Sequence, residues 1–146
     1  MRGPAALQEI VYVSPGTPQV RFKQRFHRQR TQVAALMNLA VSREKNVTVI
    51  AMQGKLDSFS SKVFEEQLLA LIAEGHTNLI LDCTQLEYVS SAGLRVFYLA
   101  ANRLQALGGK MVFCAVNENI QRVFDIVDLS SDFLMLPARA EALRQF

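Results

Sequence analysis

Two adjacent hydroxyl side chains, Ser90 and Ser91, stand where a predicted strand gives way to a predicted helix. Either serine can be the N-cap of that helix, because its oxygen can accept a hydrogen bond from a free N–H group of the first turn. The cap explains one serine and leaves the following Ala92 and Gly93 unexplained. Glycine inside a helix costs about 1 kcal/mol relative to alanine. We therefore expect these small residues to leave the backbone open to a partner protein or to a kinase.

A phosphate group is compatible with this position. The first turn of a helix carries free N–H groups and the positive end of the helix dipole, and both favour an anion. Phosphorylation of a serine adds about −1.5 to −2 charge at pH 7. The domain need not rearrange, whereas a partner packed against the serine would have to bury or expel an unpaired charge. The chemistry therefore permits a binding switch alongside the capping role.

The other polar groups do not form a recognisable catalytic set. Asp57 and Asp82 both lie near the ends of predicted strands, at the edge where open α/β sheets bind ligands, but two carboxylates alone do not define an acid–base pair. His27 and His76 have no sequence neighbours that would orient either of them as a base. The glycine-rich phosphate loops and the Gly-x-Ser-x-Gly nucleophile elbow are missing from the sequence. We expect no enzymatic activity and no cofactor.

The two cysteines, Cys83 and Cys114, lie in apolar runs. They have neither a Cys-x-x-Cys spacing nor a nearby histidine, which a zinc site would need. We expect both to be buried thiols, with no disulfide and no metal site.

The chain of 146 residues, half of them hydrophobic, suits a single domain with its own core. No uninterrupted apolar run approaches the roughly 18 to 20 residues that cross a bilayer. Glu9, Pro15 and Pro18 interrupt the apolar residues near the N-terminus before a secretory signal can form. These features predict a cytoplasmic protein without a membrane span.

The net charge of +3 is unevenly distributed. Residues 1–46 hold eight Lys and Arg against two Glu, or +6, and residues 47–146 hold eight against eleven acidic residues, or −3. Most of the excess sits between residues 21 and 30, where five cations are interleaved with aromatic side chains: Arg21, Lys23, Arg25, Arg28 and Arg30. Such a stretch could contact nucleic acid or an anionic membrane. We favour a poorly ordered basic extension over residues 1–36, or a stretch upstream of a start at Met37, with no direct binding of nucleic acid.

From Met37 onward, short β-rich runs alternate with helical periodicity, which is typical of crossover connections in a largely parallel sheet. The predicted elements are a hairpin of residues 39–41 and 47–52, a helix at about 60–74, strand 78–82, a helix at about 91–107, strand 111–115, a helix capped by Asn117, edge strand 133–136 and a short helix at 138–146. This order predicts an α/β domain over residues 37–146. Its central sheet is mixed and mostly parallel, with four to five strands and helices packed against it.

The run Tyr88-Val89-Ser90-Ser91-Ala92-Gly93-Leu94, preceded by Leu79-Ile80-Leu81-Asp82, resembles the phosphorylation loop of the anti-anti-sigma factors. These bacterial regulators are built on the STAS domain (sulphate transporter and anti-sigma factor antagonist). Three other segments are similar to the family: its Gly-x-Leu-Asp turn at residues 53–57, its Gly-Gly lead into the fourth strand at 108–114, and the following helix at 117–129. The resemblance covers residues 37–146 in the correct order and does not reach residues 1–36.

The resemblance implies which serine is modified. Counting back two residues from Gly93, the family's phosphorylated serine falls on Ser91. The family commonly has Asp immediately before that serine, where this chain has Ser90, and a Ser or Thr where this chain has Ala92. Ser90 is therefore kept as the second candidate acceptor.

The resemblance also implies partners. A protein of this kind binds an anti-sigma factor, a serine kinase of the histidine-kinase-like ATPase type, and so releases a sigma factor to RNA polymerase. Phosphorylation by the kinase breaks the complex, and a manganese- or magnesium-dependent serine phosphatase restores it. The expected docking face consists of the loops at residues 54–58 and 90–94 with exposed parts of the second helix, namely Gly54, Asp57, Ser58, Ser90, Ser91, Ala92, Gly93 and Leu94.

Two other interpretations of the sequence remain open. A STAS-type scaffold in a transporter or signalling complex would work without phosphorylation, and Ser90 and Ser91 would then be caps and contacts only. Asp57 could equally stabilise the turn before the first helix rather than contact a partner.

Overall fold

The computed structural model describes residues 10–11 and 37–146, and the rest of the predicted N-terminal extension lies outside this part of the chain. Within these described residues, six strands form one sheet in chain order. They are β1 (Ile10–Val11), β2 (Met37–Glu44), β3 (Val47–Leu56), β4 (Asn78–Val89), β5 (Lys110–Cys114) and β6 (Met135–Leu136). The pairs β1–β2 and β2–β3 are antiparallel, and the other three pairs are parallel. The predicted mixed, mostly parallel sheet is confirmed, and β1 brings the number of strands to six.

The parallel strands are joined by helices, as parallel pairing requires. Within the described residues these are α1 (Ser58–Ala73), α2 (Ser91–Ala106), α3 (Glu118–Ile126) and α4 (Arg139–Leu143), with a 3₁₀ turn at Leu129–Ser131. A polar side chain caps each of the first three helices at its N-terminus. No helix in this part of the chain is long and apolar enough to cross a bilayer.

Helices α1, α2 and α3 cover one face of the sheet and enclose the larger hydrophobic core. At its centre the ring of Phe97 in α2 lies 6.1 Å from that of Phe64 in α1 and 5.0 Å from that of Phe113 in β5, between centroids. Phe124 of α3 packs edge-on against Phe113 at 5.6 Å. Each such pair contributes about 0.5–1.5 kcal/mol beyond its buried area. These contacts fix how the three helices sit on the sheet, and therefore where each helix begins.

A smaller cluster lies on the opposite face, because alternate strand residues point to opposite sides. There Ile80 and Val112 pack with Ala142 of the short helix α4. The guanidinium of Arg139 lies 2.7 Å from the carboxylate of Asp82 and ties α4 to the sheet. The free thiols of Cys83 and Cys114 are buried as expected, and they belong to the two different clusters.

Two strands are longer than the sequence predicted. The turn expected at Gly54 is part of β3, and the loop expected after Asp82 continues β4 to Val89. The two strands keep pairing through two register shifts, the second of them between Gly54 and Lys55. Gly54 has φ of 105° at this irregularity, a conformation that glycine adopts without strain. The last pair in the ladder joins Leu56 to Val89.

Candidate docking site at two helix N-termini

The ends of β3 and β4 bring two helix starts together. Leu56 and Val89 are paired neighbours, and each is separated from the next helix by a single capping residue. The backbone N–H of Ser90 donates to the carbonyl of Leu56 at 2.8 Å. The segments at residues 54–58 and 90–94, predicted to share one face, therefore meet at the same edge of the sheet.

Ser90 is the N-cap of α2. Its backbone is extended, with φ of −92° and ψ of 171°, and its Oγ accepts a hydrogen bond from the N–H of Gly93 at 3.2 Å. Its carbonyl accepts from the N–H of Leu94 at 3.0 Å, which opens the helix. Of the two serines that could cap α2, Ser90 has this role, and its side chain is half-buried.

Ser91 is the first residue of α2 and its side chain is exposed. Among the described residues, no group forms a hydrogen bond with its hydroxyl. The hydroxyl therefore stands free beside the N–H groups of the first helical turn, where a negative charge is favoured.

Gly93 is buried, which corrects the expectation that it leaves the backbone open to a partner. A Cβ on Gly93 would lie 2.7 Å from Cδ2 of Leu56 and 3.0 Å from Cγ2 of Val89. The missing side chain lets the first turn of α2 sit directly on the end of β3. Ala92 is half-buried, and Leu94 packs against the main core.

Asp57 is the N-cap of α1 and forms a reciprocal capping box with Ser60. Its carboxylate accepts from the N–H groups of Ser60 at 2.8 Å and Phe59 at 3.0 Å. The N–H of Asp57 donates to Oγ of Ser60 at 3.0 Å, so α1 begins two residues before the predicted start. The backbone hydrogen bond from Ser60, aided by its hydroxyl, holds the pKa of Asp57 below its ordinary value despite partial desolvation.

Helices α1 and α2 begin with the same pattern of exposed side chains, a serine followed by a cation. Ser58 is the first residue of α1, and Lys62 follows one turn later; Ser91 and Arg95 have the same relation in α2. All four side chains are exposed. Residues four apart lie on the same side of a helix, so each serine has a cation as its neighbour.

Phe59, beside Ser58, is 57% exposed. Sequence reasoning assigned no role at the site to Phe59, Lys62 or Arg95. The spacing of four residues between each first-turn serine and its cation was the signal that could have pointed to the two cations.

Asp82 does not join this site. It lies on the opposite face of the sheet from α1 and α2, where it accepts from the Thr84 hydroxyl at 2.6 Å and pairs with Arg139. Burial alone would raise the pKa of Asp82, but the bonds from Thr84 and Arg139 outweigh it and hold the pKa below the ordinary value.

His76 is a structural residue at the other end of the sheet. Its Nδ1 lies 2.7 Å from the guanidinium of Arg43 and 2.7 Å from Oγ1 of Thr48. Burial, reinforced by the charge of Arg43, lowers the pKa of His76 to about 4. His27 lies outside the described residues, and within residues 10–11 and 37–146 no group of His, Cys, Asp and Glu has a metal-binding arrangement.

Most of the chain matches the model of a known domain. The family model described as the STAS domain matches residues 38–142. The chain belongs to the STAS domain family.

Two relatives of this STAS protein are named as antagonists of anti-sigma factors. BtrV of Bordetella bronchiseptica, provisionally named an anti-sigma factor antagonist, is 31% identical over 75% of this chain and 95% of its own length. The anti-sigma-B factor antagonist of Bacillus subtilis is 28% identical over 72% of this chain and 94% of its own length.

The fold is shared with SpoIIAA, a Bacillus anti-sigma factor antagonist solved in two forms. The unphosphorylated form gives a TM-score of 0.65 at 19% identity, over 73% of this chain and 94% of that one. The phosphorylated form gives 0.59 at 19% identity, over 73% and 97%.

Proposed function

We propose that this STAS protein is an anti-sigma factor antagonist whose binding is switched off by phosphorylation of Ser91. Its partner is an anti-sigma factor that is also a serine kinase of the histidine-kinase-like ATPase type. Binding to that kinase releases a sigma factor, so the protein regulates transcription in the cytoplasm as a binding module rather than as an enzyme. The names of its relatives support the antagonist function.

The observation that carries the proposal is that Ser90 is used as the helix cap whereas Ser91 is exposed. Ser90 is committed to the helix cap, through its bond to Gly93. Ser91 is exposed, and its hydroxyl has no partner among the described residues. A kinase can therefore reach Ser91 without opening the helix, which is why Ser91 is preferred over Ser90 as the acceptor.

The surroundings of Ser91 also suit a switch that leaves the fold intact. The free N–H groups of the first turn favour the phosphate that the reaction adds. The bond from Ser90 to Leu56 ties the start of α2 to the end of β3, so we expect the domain to keep its arrangement when Ser91 is phosphorylated. The phosphate destabilises the complex instead, because a partner packed over Ser91 would have to desolvate the new charge or dissociate.

We assign the docking face to the two segments at this edge of the sheet. Ser58 and Ser91 offer exposed hydroxyls to a partner, and Ala92 offers a half-buried methyl group. Gly54, Asp57, Ser90, Gly93 and Leu94 support this face from beneath or through their backbone, since their side chains or Cα atoms are engaged in the sheet, the caps or the core. A serine phosphatase acting on phosphorylated Ser91 returns the protein to its binding state.

The proposal is tested by mixing the purified protein with the anti-sigma factor kinase of its own organism, magnesium and ATP. We expect one phosphoryl group by intact-mass spectrometry, located on Ser91 by fragmentation. Ser91→Ala abolishes the modification and Ser90→Ala retains it. Labelling that persists in Ser91→Ala but is lost in Ser90→Ala would move the acceptor by one residue.

A stable complex with an ATPase that never modifies the protein would overturn the phosphorylation switch. It would favour the scaffold interpretation, in which both serines serve only as caps and contacts.

A further inference from the structure

The side chain of Leu56 lies directly beneath the helical turn that presents Ser91. Leu56 is the last residue of β3 and is completely buried. Although it belongs to the segment at residues 54–58, it offers no side-chain surface to a partner protein. Any effect of Leu56 on a reaction at Ser91 therefore has to pass through the residues that Leu56 contacts.

The backbone of Leu56 is bonded to the residue immediately before Ser91. Its carbonyl accepts a hydrogen bond from the N–H of Ser90 at 2.8 Å. The carbonyl of Ser90 in turn accepts from the N–H of Leu94 at 3.0 Å, which opens α2. Ser90 is therefore bonded on one side to the end of β3 and on the other side to the first turn of the helix that begins with Ser91.

The side chain of Leu56 supports the same turn from below. A Cβ on Gly93 would lie 2.7 Å from Cδ2 and 2.8 Å from Cγ of Leu56, which is closer than side chains pack. The backbone of Gly93 therefore rests on the Leu56 side chain, with no space for a methyl group between them. Gly93 follows Ser91 by two residues within one helical turn, so the contact beneath Gly93 also sets the distance of Ser91 from β3.

The first turn of α1 fixes Leu56 itself. The hydroxyl of Ser60, which is completely buried, donates to the carbonyl of Lys55 at 2.8 Å. The same hydroxyl oxygen accepts from the N–H of Asp57 at 3.0 Å. The residues on both sides of Leu56 are thus bonded to one buried side chain. Leu56 is held by the start of α1 and supports the start of α2.

We infer that Leu56 is a positioning residue for the phosphorylation of Ser91. This rests on the proposed function, in which Ser91 is the acceptor. In the reaction the Ser91 oxygen forms a bond to the γ-phosphorus of ATP, the bond from that phosphorus to the β–γ bridging oxygen breaks, and ADP leaves. The hydroxyl proton passes to a base of the kinase. The Ser91 oxygen has to lie in line with the bond that breaks, and a displacement of about 1 Å can lower such a rate by about a hundredfold.

A positioning role affects the chemical step more than docking. Shortening Leu56 empties the space beneath Gly93, so the first turn of α2 can shift, while the exposed groups that meet the kinase keep their identity. We expect Leu56→Ala to lower kcat for Ser91 phosphorylation by about tenfold and to leave KM within about threefold of the wild type. Leu56→Met, which nearly conserves the volume, should keep kcat within about twofold.

The test uses the full chain as the varied substrate of the anti-sigma factor kinase of its own organism, with saturating ATP and magnesium. Initial rates of Ser91 phosphorylation are measured by mass spectrometry at a temperature well below the unfolding midpoint of every variant. Gly93→Ala perturbs the same contact from the opposite side, and we expect it also to lower kcat by about tenfold. If Leu56→Ala does not fold, Gly93→Ala decides the test alone.

The double variant Leu56→Ala/Gly93→Ala tests whether the two residues act through their mutual contact. The methyl group of the new alanine partly fills the space that Leu56 leaves. The combined loss of kcat should therefore stay near about tenfold, whereas independent effects would multiply to about a hundredfold. A hundredfold loss would overturn the contact between Leu56 and Gly93 as the means of positioning.

A matched control lies at the other end of the same helix. Leu104 is 1% exposed and follows Gly93 by about three turns of α2. Leu104→Ala empties a comparable volume in the main core and should lower the unfolding midpoint, but it should keep kcat within about twofold of the wild type. An equal loss of kcat in Leu104→Ala and Leu56→Ala would assign the effect to general destabilisation and overturn the positioning role.

The failure of this inference differs from the failure of the proposed function. Phosphorylation of Ser91 with wild-type kcat in Leu56→Ala, or in Gly93→Ala where that variant decides, overturns the positioning role and leaves the antagonist function standing. A wild-type protein that no anti-sigma factor kinase of its organism phosphorylates on Ser91 overturns the phosphorylation switch and the positioning role with it.

Discussion

The backbone N–H of Ser90 donates to the carbonyl of Leu56 at 2.8 Å, and this bond joins the starts of the two helices that carry the candidate site. Ser90 follows β4 and Leu56 ends β3, so the bond continues the sheet ladder into the connection between strand and helix. The backbone starts of α1 and α2 are thereby fixed at neighbouring strand ends of the sheet.

Ser90→Ala and Ser91→Ala should have different effects on stability. Ser90 caps α2, and losing an N-cap costs about 1 kcal/mol. Ser91 is exposed and its hydroxyl makes no hydrogen bond within the described residues, so its replacement should stay within about 0.5 kcal/mol of the wild type. Urea unfolding of both variants measures the difference. Equal losses would contradict the assignment of the cap to Ser90.

Gly93→Ala tests the packing of α2 on β3. The added methyl would lie 2.7 Å from Cδ2 of Leu56, which is completely buried. We expect a net loss of about 1–2 kcal/mol, because overpacking outweighs the helix propensity that alanine gains. The loss should shrink in a Leu56→Ala background, as a double-mutant cycle of denaturant unfolding would show. A stabilised Gly93→Ala variant would mean that a methyl group fits between the first turn of α2 and Leu56.

The burial of Gly93 could not be predicted from the sequence. The sequence placed Gly93 in the first turn of α2, but a glycine there is compatible with close internal packing as well as with an open surface. Deciding between them requires knowing that Leu56 lies beneath it, and that contact depends on where β3 ends. The sequence predicted that strand to end at residue 52, before a turn at Gly54.

The order of elements was more predictable than their ends. Hydrophobic periodicity and the expected caps, at Ser90 or Ser91 and at Asn117, located α2 and α3 correctly, since these signals are local. The second half of β4 was missed because its residues are mostly exposed, and pairing with β3 through two irregularities keeps them extended. The cations four residues after Ser58 and Ser91 were visible in the sequence, but the meeting of the two helix starts at one end of the sheet was not.

Asp57→Asn should remove part of the acid sensitivity of the fold. The hydrogen bonds of the cap lower the folded-state pKa of Asp57, so its ionised form contributes stability above its unfolded pKa of about 3.9. That contribution is lost as the pH falls through the lower folded pKa. Asn keeps an oxygen that can cap α1 but does not titrate. Between about pH 5 and 2 the variant should lose less stability than the wild type in parallel urea titrations; identical slopes would contradict this.

The two cysteines should be unreactive until the protein unfolds. Cys83 and Cys114 are completely buried, and burial raises the pKa of both thiols, that of Cys114 to about 11. Thiolate is the reactive form, so burial and the raised pKa both suppress modification. A thiol reagent at pH 8 should label neither cysteine in the native protein and both of them in urea. Rapid labelling of one site in the native protein would show that its part of the core opens.

Arg95 should lower the pKa of a phosphate on Ser91. The second ionisation of phosphoserine has a pKa of about 6, and a cation one helical turn away favours the dianion. With phosphoserine installed at position 91, a ³¹P NMR titration should give a lower pKa in the wild-type background than in Arg95→Gln. Arg103→Gln, which removes an exposed cation from the last turn of α2, is the matched control and should leave the phosphate pKa unchanged. The same pKa in the wild type and in Arg95→Gln would show that the guanidinium does not reach the phosphate.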